Sequence, residues 1–328
     1  FAAGMVLAYL LDPVADWFEA KGLNRVLASS LILSAAVLLA IMAALVLLPI
    51  LGRQLTAFAE NVPGYLAGLE KLLETHAGKW LSPLMGANGT ETFNNNISMI
   101  VTKGASWLTA VIKSLWSGGL ALVNLVSLLV VTPIVAFYML VDWDRMIASI
   151  DSWLPRDHAE TVRELARDIN QAIAGFIRGQ GMVCLLLGLF YAIGLTLTGL
   201  NFGLLIGFGA GLISFIPYVG SIVGLVVSMG VAIVQFWPDW SMMLAVLVVF
   251  GAGQFLEGNI LSPKLVGTSV GLHPVWLMFA LFAFGYLFGF TGMLVAVPLA
   301  AMIGVIVRFL LRQYLNSPIY TGHGGQKD

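Results

Sequence analysis

The side chain with the clearest potential for chemistry is Glu257, because a carboxylate bordering a long apolar stretch is costly to bury and is therefore often functional. It follows the uncharged run 240–256, with Gln254 one helical turn before it and Asn259 two residues after it. A carboxylate beside amides could bind a cation or a proton, or accept hydrogen bonds from a polar solute. Alternatively, Glu257 is a boundary residue that pairs with Lys264 or caps a neighbouring helix.

Hydroxyl groups form a second set of candidates, and they lie beside predicted helix breaks. Pro217 lacks a backbone donor, so the chain should turn near it, and Tyr218 and Ser221 follow closely. Thr291 lies among the glycines of a later break. These hydroxyls could bind a solute, although turn geometry alone could also explain them. The candidate substrate-binding or ion-binding residues are therefore Glu257, Gln254, Asn259, Pro217, Tyr218, Ser221 and Thr291.

Patterns typical of catalysis are missing from the sequence. It has no HExxH, GxSxG or P-loop motif, and its four histidines are far apart. Cys184 is the only cysteine, which excludes an internal disulfide and a cysteine-based zinc site. We therefore expect no enzymatic activity, no cofactor and no metal site.

The composition indicates that the elements around these residues lie in a membrane. Hydrophobic residues make up 59% of the 328 residues and charged residues only 10%, whereas a soluble domain carries about 25% charged residues. A net charge of −1 and the lack of a basic run also argue against a nucleic-acid partner. Five long intervals contain no Asp, Glu, Lys or Arg: 26–52, 114–141, 179–238, 240–256 and 265–307.

A transmembrane helix needs about 20 apolar residues, so these intervals define the predicted elements. The first half is expected to contain the end of a helix whose beginning is missing at 1–11, a loop at 12–28, a span at 29–50, a polar region at 51–114 and a span at 115–141. The second half is expected to contain a polar segment at 142–178, a span at 179–199, two arms at 203–235, a span at 241–257 and a broken apolar stretch at 273–312.

The same elements group into five predicted parts. They are N-terminal transmembrane helices at 1–50, an extracytoplasmic amphipathic region at 51–114, a transmembrane helix with a cytoplasmic interfacial helix at 115–178, a transport core at 179–312 and a polar tail at 313–328. The side facing the cytoplasm follows from the positive-inside rule. Basic residues on that side are Lys21, Arg25, Arg145, Arg156, Arg163, Arg167 and Arg178.

Both polar regions show the spacing of amphipathic helices, which lie on the membrane surface or pack on neighbours. The first stripe of 51–114 comprises Leu55, Phe58, Ala59, Val62, Leu66, Leu69 and Leu73. Its second stripe comprises Ile97, Ile100, Val101, Leu108, Ile112 and Leu115. The apolar face of 157–178 comprises Val162, Leu165, Ile169, Ala172, Ile173 and Phe176. This last helix could be interfacial or could dock a regulator.

The stretches 203–235 and 273–312 are each predicted to form a broken helical hairpin. The first arm of 203–235 would reach about 20 Å at 1.5 Å per residue, short of an apolar core about 30 Å thick. Either a re-entrant hairpin or two full crossings would fit. The spans at 179–199 and 241–257 are expected to enter the membrane from opposite faces, so the hairpins that follow them also dip in from opposite faces. The order span, hairpin, span, hairpin is therefore an inverted-topology repeat. Transporters with such repeats bind substrate near the midplane.

Glycines mark both the break of the second hairpin and a packing face of the first. Gly289 lies at the centre of the predicted break in 273–312. Gly203, Gly207 and Gly211 form GxxxGxxxG, which predicts a face where two helices approach closely. The sequence at 207–211 lacks the further glycine and the βαβ context of a nucleotide-binding loop, so we exclude that function.

Several longer motifs resemble the AI-2E family of bacterial transporters. They are AYLLDPVADWFEAKG at 8–22, TPIVAFYMLVDWDRM at 132–146, FIPYVGSIVG at 215–224, EGNILSPKLVGTSVGLHPVW at 257–276 and GFTGMLVAVPLAA at 289–301. The resemblance covers nearly the whole chain. It implies an all-α, multi-pass protein of the bacterial inner membrane with about eight transmembrane segments, and secondary transport of a small solute. It also implies a homo-oligomer, with a pentamer as the expected state.

Three functions are compatible with these observations. The leading hypothesis is a secondary transporter that exports a small polar solute, with the quorum-sensing signal autoinducer-2 as one candidate. The second is a sodium(lithium)/proton antiporter that uses Glu257. The third is a membrane scaffold without transport activity, whose 51–114 region recruits partners.

Overall fold

The computed structural model describes residues 2–72, 119–267 and 271–321, together with Thr75, Met99 and Lys103 as single residues. The secondary structure of this part of the chain is helical, and it contains no strand. The prediction of an all-α fold is therefore confirmed. The helices are α1 Ala2–Ala20, α2 Arg25–Leu72, α3 Gly119–Ser152, a 3₁₀ turn Arg156–His158, α4 Ala159–Leu197, α5 Gly203–Ile213, α6 Val219–Phe236, α7 Trp240–Leu256, a π-helix Glu257–Val266, α8 Pro274–Leu315 and α9 Pro318–Thr321.

Several of these helices are long and apolar enough to cross a membrane. The five that meet this condition are Arg25–Leu72, Arg156–Leu197, Val219–Phe236, Trp240–Val266 and Pro274–Leu315. Helix α5 is apolar but has only 11 residues, about half of what a span needs. The chain is thus a multi-pass membrane protein, as its composition predicts, while the count of about eight segments stays a prediction.

The described helices belong to two compact units. The first unit comprises Phe1–Ala36, Val131–Val183 and Gly258–Asp328. The second comprises Val37–Val130 and Cys184–Glu257. Each predicted hairpin therefore lies within one unit. The hairpin at 203–235 belongs to the second unit, and the hairpin at 273–312 belongs to the first unit.

The predicted loop at 12–28 is wrong, because α1 continues to Ala20 and α2 begins at Arg25. Three acidic residues of α1 bind the Arg25 guanidinium: Asp12, Asp16 and Glu19. The Arg25 Nε also donates to the Leu140 carbonyl oxygen at 2.9 Å. The charges suggested a loop because they interrupt an apolar run, but the acidic residues recur at helical spacing and share one cation.

The span predicted at 29–50 and the first part of the polar region predicted at 51–114 lie in one helix, while the position of the membrane boundary stays a prediction. Residues 51–72 continue α2 as one helix of 48 residues, with Pro49 and Pro63 inside it. Prolines are tolerated in membrane helices where neighbouring groups satisfy the freed carbonyls. We call residues 51–72 the α2 arm.

The apolar stripe predicted along the α2 arm packs on a neighbour rather than standing free. Phe58 and Val62 are buried, while Glu60 on the other side is exposed. Leu73 and the second predicted stripe, at 97–115, lie outside the described residues.

The polar segment at 142–178 and the span at 179–199 are not separate elements. Helix α3 continues to Ser152, and α4 runs unbroken from Ala159 to Leu197. No proline occurs in α4, so nothing ends the helix where its polar half meets its apolar half.

The apolar face predicted within 157–178 packs inside the first unit. Leu165 and Ile169 contact a buried cluster that includes Ala301 and Val305 of α8. Part of this face therefore packs on α8, while Val162 is exposed. The interfacial position and the docking of a regulator both stay predictions.

The glycine face predicted on α5 is confirmed in the second unit. A Cβ added to Gly207 or Gly211 would overlap backbone atoms of Ala192 or Gly188 in α4. A Cβ added to Gly203 would lie 2.8 Å from the carbonyl carbon of Leu195. The short helix α5 thus lies directly against the α4 backbone.

The break predicted near Gly289 is confirmed as well. Gly289 has φ 63° and ψ −145° inside α8, a left-handed backbone that glycine adopts without strain. The two arms approach closely just after it, since a Cβ on Gly292 would lie 2.7 Å from the Phe284 carbonyl carbon. Helix α8 is therefore two helical arms joined at Gly289.

Candidate functional site

Glu257 stands where α7 gives way to the π-helix Glu257–Val266. Such helices bond over five residues instead of four and occur frequently at functional sites. The Glu257 side chain is half-buried. The sequence predicts this carboxylate at a broken helix end, and the change of helix type at Glu257 agrees with that position.

Gln254 lies one turn before Glu257, and the two side chains are hydrogen-bonded. The Gln254 Nε2 donates to the Glu257 Oε2 at 2.9 Å. Ion pairs within the described residues do not include one between Glu257 and Lys264. The amide contact therefore takes the place of the predicted alternative partner.

Tyr191 of α4 completes this group, although sequence reasoning missed it. Its hydroxyl lies 3.4 Å from the Gln254 Nε2, and its side chain is fully buried. The ring stacks on Phe250, with 4.6 Å between centroids. Gly253 leaves room for it, since a Cβ there would lie 2.5 Å from the Tyr191 hydroxyl oxygen. No sequence signal marks Tyr191 within its apolar run, because its position matters only through contact with α7.

Tyr191, Gln254 and Glu257, which we call the Glu257 cluster, combine a carboxylate with neutral polar groups. Within the described residues the Glu257 Oε1 has no hydrogen-bond partner, so it could accept a hydrogen bond from a hydroxyl or bind a cation. The described residues contain no group of three or more His, Cys, Asp or Glu that could hold a metal ion. A carboxylate beside neutral polar groups is suited to a hydroxylated solute, a proton or a cation.

Helix α7, which carries Gln254 and Glu257, is capped at its other end by Asp239. The Asp239 Oδ1 accepts from the Ser241 hydroxyl at 2.6 Å and from the Ser241 backbone N at 3.0 Å. These hydrogen bonds hold the pKa of Asp239 below its ordinary value, and the bond from the Ser241 hydroxyl has the larger effect. The cap fixes where α7 begins, and hence where its polar end lies.

The tip of the first hairpin is the turn at 214–218 between α5 and α6, where the sequence predicts a break at Pro217. Tyr218 has φ 68°, a left-handed conformation that is uncommon for residues other than glycine. Its side chain is 45% exposed. The turn therefore presents a phenol from a strained backbone position.

Ser221 and Pro217 have mainly structural contacts at this tip. The buried Ser221 hydroxyl donates to the Tyr218 carbonyl oxygen at 3.1 Å. Pro217 is half-buried in the turn. Turn geometry accounts for both residues, which leaves Tyr218 as the exposed polar group of the tip.

Asn259 and Thr291 belong to the first compact unit, and both are exposed. Asn259 lies in the π-helix, and Thr291 lies two residues after the break at Gly289. A grouping of these two residues with the other candidates stays a prediction. The candidate pairs that the structure brings into contact are Gln254 with Glu257 and Ser221 with Tyr218.

A small polar cavity in the first unit was not predicted from the sequence. It measures about 40 Å³ and its lining includes Tyr9, Asp12, Trp143, Asn170 and Arg178. The Tyr9 hydroxyl donates to the Asn170 Oδ1 at 2.8 Å. This cavity has room for a few water molecules at most, so it is too small for an organic solute.

Long apolar helices, interrupted by breaks that carry polar side chains, are typical of transport proteins that cross the membrane several times. The comparisons with known proteins agree with this class. The family model described as "AI-2E family transporter" matches residues 1–312, and the chain belongs to this family. The resemblance seen in the sequence motifs is thereby confirmed.

Relatives of known sequence carry names of the same class. YrrI of Bacillus subtilis (strain 168), a candidate transport protein, is 31% identical over 310 residues, which are 93% of this chain and 84% of YrrI. PerM of Escherichia coli (strain K12), a candidate permease, is 31% identical over 313 residues, which are 92% of this chain and 84% of PerM. The chain is thus similar to these proteins along most of its length.

Proposed function

We propose that this chain is a secondary transporter that exports a small polar solute across the bacterial inner membrane. The observation that carries the proposal is the Gln254–Glu257 hydrogen bond at the point where α7 becomes a π-helix. A carboxylate held by an amide at an irregular helix end offers both a charge and free hydrogen-bonding capacity. Membership of the AI-2E transporter family supports the same class of function.

The proposal includes the architecture predicted from the sequence. About eight transmembrane segments would form a span, hairpin, span, hairpin core with inverted topology, and the chain would assemble into a homo-oligomer, as a pentamer. The breaks at 214–218 and at Gly289 support the two hairpins. Native mass spectrometry of the detergent-solubilised protein would test the oligomer, and a monomer would contradict it.

The polar groups of the candidate site favour a hydroxylated solute. Glu257 offers carboxylate oxygens, the Gln254 side chain is exposed, and Tyr218 presents a phenol. Hydroxyl groups of a small furanosyl compound could exchange hydrogen bonds with such groups. Autoinducer-2 therefore remains the first solute to examine.

Flux measurements in proteoliposomes test this proposal. Purified protein would be reconstituted with a panel of small hydroxylated solutes that includes autoinducer-2, and efflux would be compared with empty liposomes. We expect efflux of at least one solute, and competition by related solutes. Efflux no faster than from empty liposomes over the whole panel would contradict the proposal.

A sodium(lithium)/proton antiporter is the alternative that a specific observation favours. Glu257 is half-buried, and its contact in the described residues is a neutral amide, so its charge is not balanced by a neighbouring cation. A half-buried carboxylate without a cationic neighbour attracts a cation or a proton. Proton movement driven by an imposed sodium gradient would support antiport, whereas solute efflux without such a gradient would support export.

A further inference from the structure

The α2 arm contacts the base of the first hairpin through a helix cap. The first amides of a helix have no partner within that helix, and Phe202 at the start of α5 provides no side-chain cap. The Gln54 Oε1 of the arm accepts a hydrogen bond from the Leu205 backbone N at 3.0 Å. Gln54 therefore caps α5 from a distance in sequence, since Leu205 lies 151 residues further along the chain.

Two further contacts hold the same turn. The Asn201 Nδ2 donates to the Tyr65 hydroxyl of the arm at 3.0 Å. Gln235, near the end of α6, accepts from the Asn201 backbone N and donates to the Gly199 carbonyl oxygen, both at 2.8 Å. The arm and the end of α6 thus fix the turn between α4 and α5 from two sides.

Phe202 shows that this turn is held in an unfavourable conformation. Its φ of 60° is left-handed, and such residues persist only where surrounding contacts determine them. Its ring makes edge-to-face contacts with Phe58 at 5.3 Å and with Tyr65 at 6.3 Å between centroids. Gly68 brings the arm close to α6 as well, since a Cβ there would lie 2.7 Å from the Val234 Cγ1.

We propose that the α2 arm is a positioning element of the transport machinery, with Gln54 and Tyr65 as the residues that fix the base of the first hairpin. They act through the backbone at 199–205 and not through the solute. The consequence for transport rests on the proposed function. The contact itself can be tested without any solute.

Amide hydrogen exchange of the full chain in lipid nanodiscs tests the contact. Gln54→Leu removes the acceptor at nearly constant side-chain size, and exchange in peptides covering 199–206 should become about two- to tenfold faster, the worth of one hydrogen bond. Gln54→Glu keeps an acceptor oxygen and should exchange at the wild-type rate. Gln171→Leu is the matched control, because Gln171 is exposed on α4 and has no hydrogen bond within the described residues.

Unchanged exchange in Gln54→Leu would overturn the proposed contact. If this variant fails to fold, Tyr65→Phe replaces it, because phenylalanine keeps the ring beside Phe202 and loses only the hydrogen bond to Asn201. Faster exchange at 199–206 in Tyr65→Phe then supports the contact, and wild-type exchange overturns it.

Flux measurements test the positioning role. Reduced flux in Gln54→Leu that Gln54→Glu restores would support it, while wild-type flux in a variant with faster exchange would overturn it. Lack of flux in the wild-type protein would contradict the proposed function alone, and the exchange result would still decide whether the arm holds the hairpin.

Discussion

Gly211 of α5 and Gly188 of α4 meet backbone to backbone, so closely that a Cβ on Gly211 would overlap the Gly188 Cα. Because the contact atoms belong to two helix backbones, neither can move aside as a flexible side chain would. Gly211→Ala should therefore lower the free energy of unfolding by about 1–3 kcal/mol, the usual effect of overpacking. Thermal denaturation in detergent would measure the change.

Gly209 provides the matched control for this prediction. It lies in the same helix, but a Cβ placed there would meet no atom within 4 Å apart from the adjoining residues and backbone of its own helix. Alanine also favours a helix over glycine by up to about 1 kcal/mol, so Gly209→Ala should not lower stability. Equal denaturation temperatures for the two alanine variants would show that α4 and α5 are not in such close contact.

Substitutions of Tyr218 should have different effects on stability and on transport. Its left-handed backbone costs a residue other than glycine roughly 1–2 kcal/mol, and its exposed side chain has little packing to lose. Tyr218→Gly should thus be as stable as wild type or more stable, yet show reduced flux if the phenol binds solute. Denaturation and proteoliposome flux would be measured on the same preparation.

The more conservative variant isolates the hydroxyl group of Tyr218. Tyr218→Phe keeps the ring and the backbone strain, so a solute hydrogen bond to the phenol would be lost alone. Flux should then fall about two- to tenfold, the value of one neutral hydrogen bond. Full flux in both variants would exclude Tyr218 from the binding site.

The sequence allowed prediction of features that depend on residues close together in the chain. Gln254 and Glu257 are three residues apart, so a helix places their side chains together. Pro217 and Gly289 carry the backbone properties that interrupt a helix, and the structure breaks at both. The spacing of Gly207 and Gly211 likewise predicts a packing face whatever the partner helix is.

Features that depend on distant residues could not be predicted in this way. Tyr191 contacts Gln254 of the Glu257 cluster only because Gly253 leaves space for its ring, a relationship between two helices. The acidic residues of α1 suggested a loop, since the sequence does not show that Arg25 binds them. The charged residues predicted that a loop begins at residue 12, but α1 continues to Ala20.

Arg25 should be important for the stability of the first unit. Its side chain is only 14% exposed and binds three carboxylates of α1, as well as the Leu140 carbonyl oxygen. Arg25→Met would leave those carboxylates without their cation, so we expect a loss of about 1–3 kcal/mol, limited by the exposure of the acidic partners. Chemical denaturation of the detergent-solubilised protein would measure it.

Arg145→Met is the corresponding control. Arg145 is exposed on α3 and has no side-chain ion pair within the described residues. Its replacement should change stability by no more than about 0.5 kcal/mol. A similar loss in both variants would mean that net charge, and not the contacts of Arg25, determines the effect.

The Asp239 cap predicts a defined response to pH. Hydrogen bonds from the Ser241 hydroxyl and, to a smaller extent, from the Ser241 backbone amide hold the pKa of Asp239 below its ordinary value. A pKa lowered in the folded chain stabilises the fold above the unfolded value of about 3.9, and this contribution disappears as pH falls through the folded pKa. Asp239→Asn keeps an acceptor oxygen and should lose less stability on acidification than wild type, as measured by denaturation temperature from pH 7 to pH 3. An identical acid response in the two proteins would contradict the assignment.

Glu257→Gln is the variant that tests the chemistry of the site. Glutamine has the shape of glutamate and can still accept the Gln254 hydrogen bond, so the denaturation temperature should stay near that of wild type. The charge, however, is lost. If the carboxylate binds the solute or the coupling ion, flux should fall about ten- to hundredfold, the value of a hydrogen bond to a charged group.

Two comparisons determine what a loss of flux in Glu257→Gln means. Glu164→Gln removes the same charge from an exposed position of α4 that has no hydrogen bond within the described residues, and it should transport normally. Glu257→Asp keeps the charge, but its side chain is shorter by one methylene. Partial flux is therefore expected if transport requires both the charge and its position. For the antiporter, sodium-driven proton movement would disappear in Glu257→Gln and persist in Glu257→Asp. Wild-type flux and wild-type ion dependence in Glu257→Gln would remove the carboxylate from the mechanism, and with it the reason for placing the site at the end of α7.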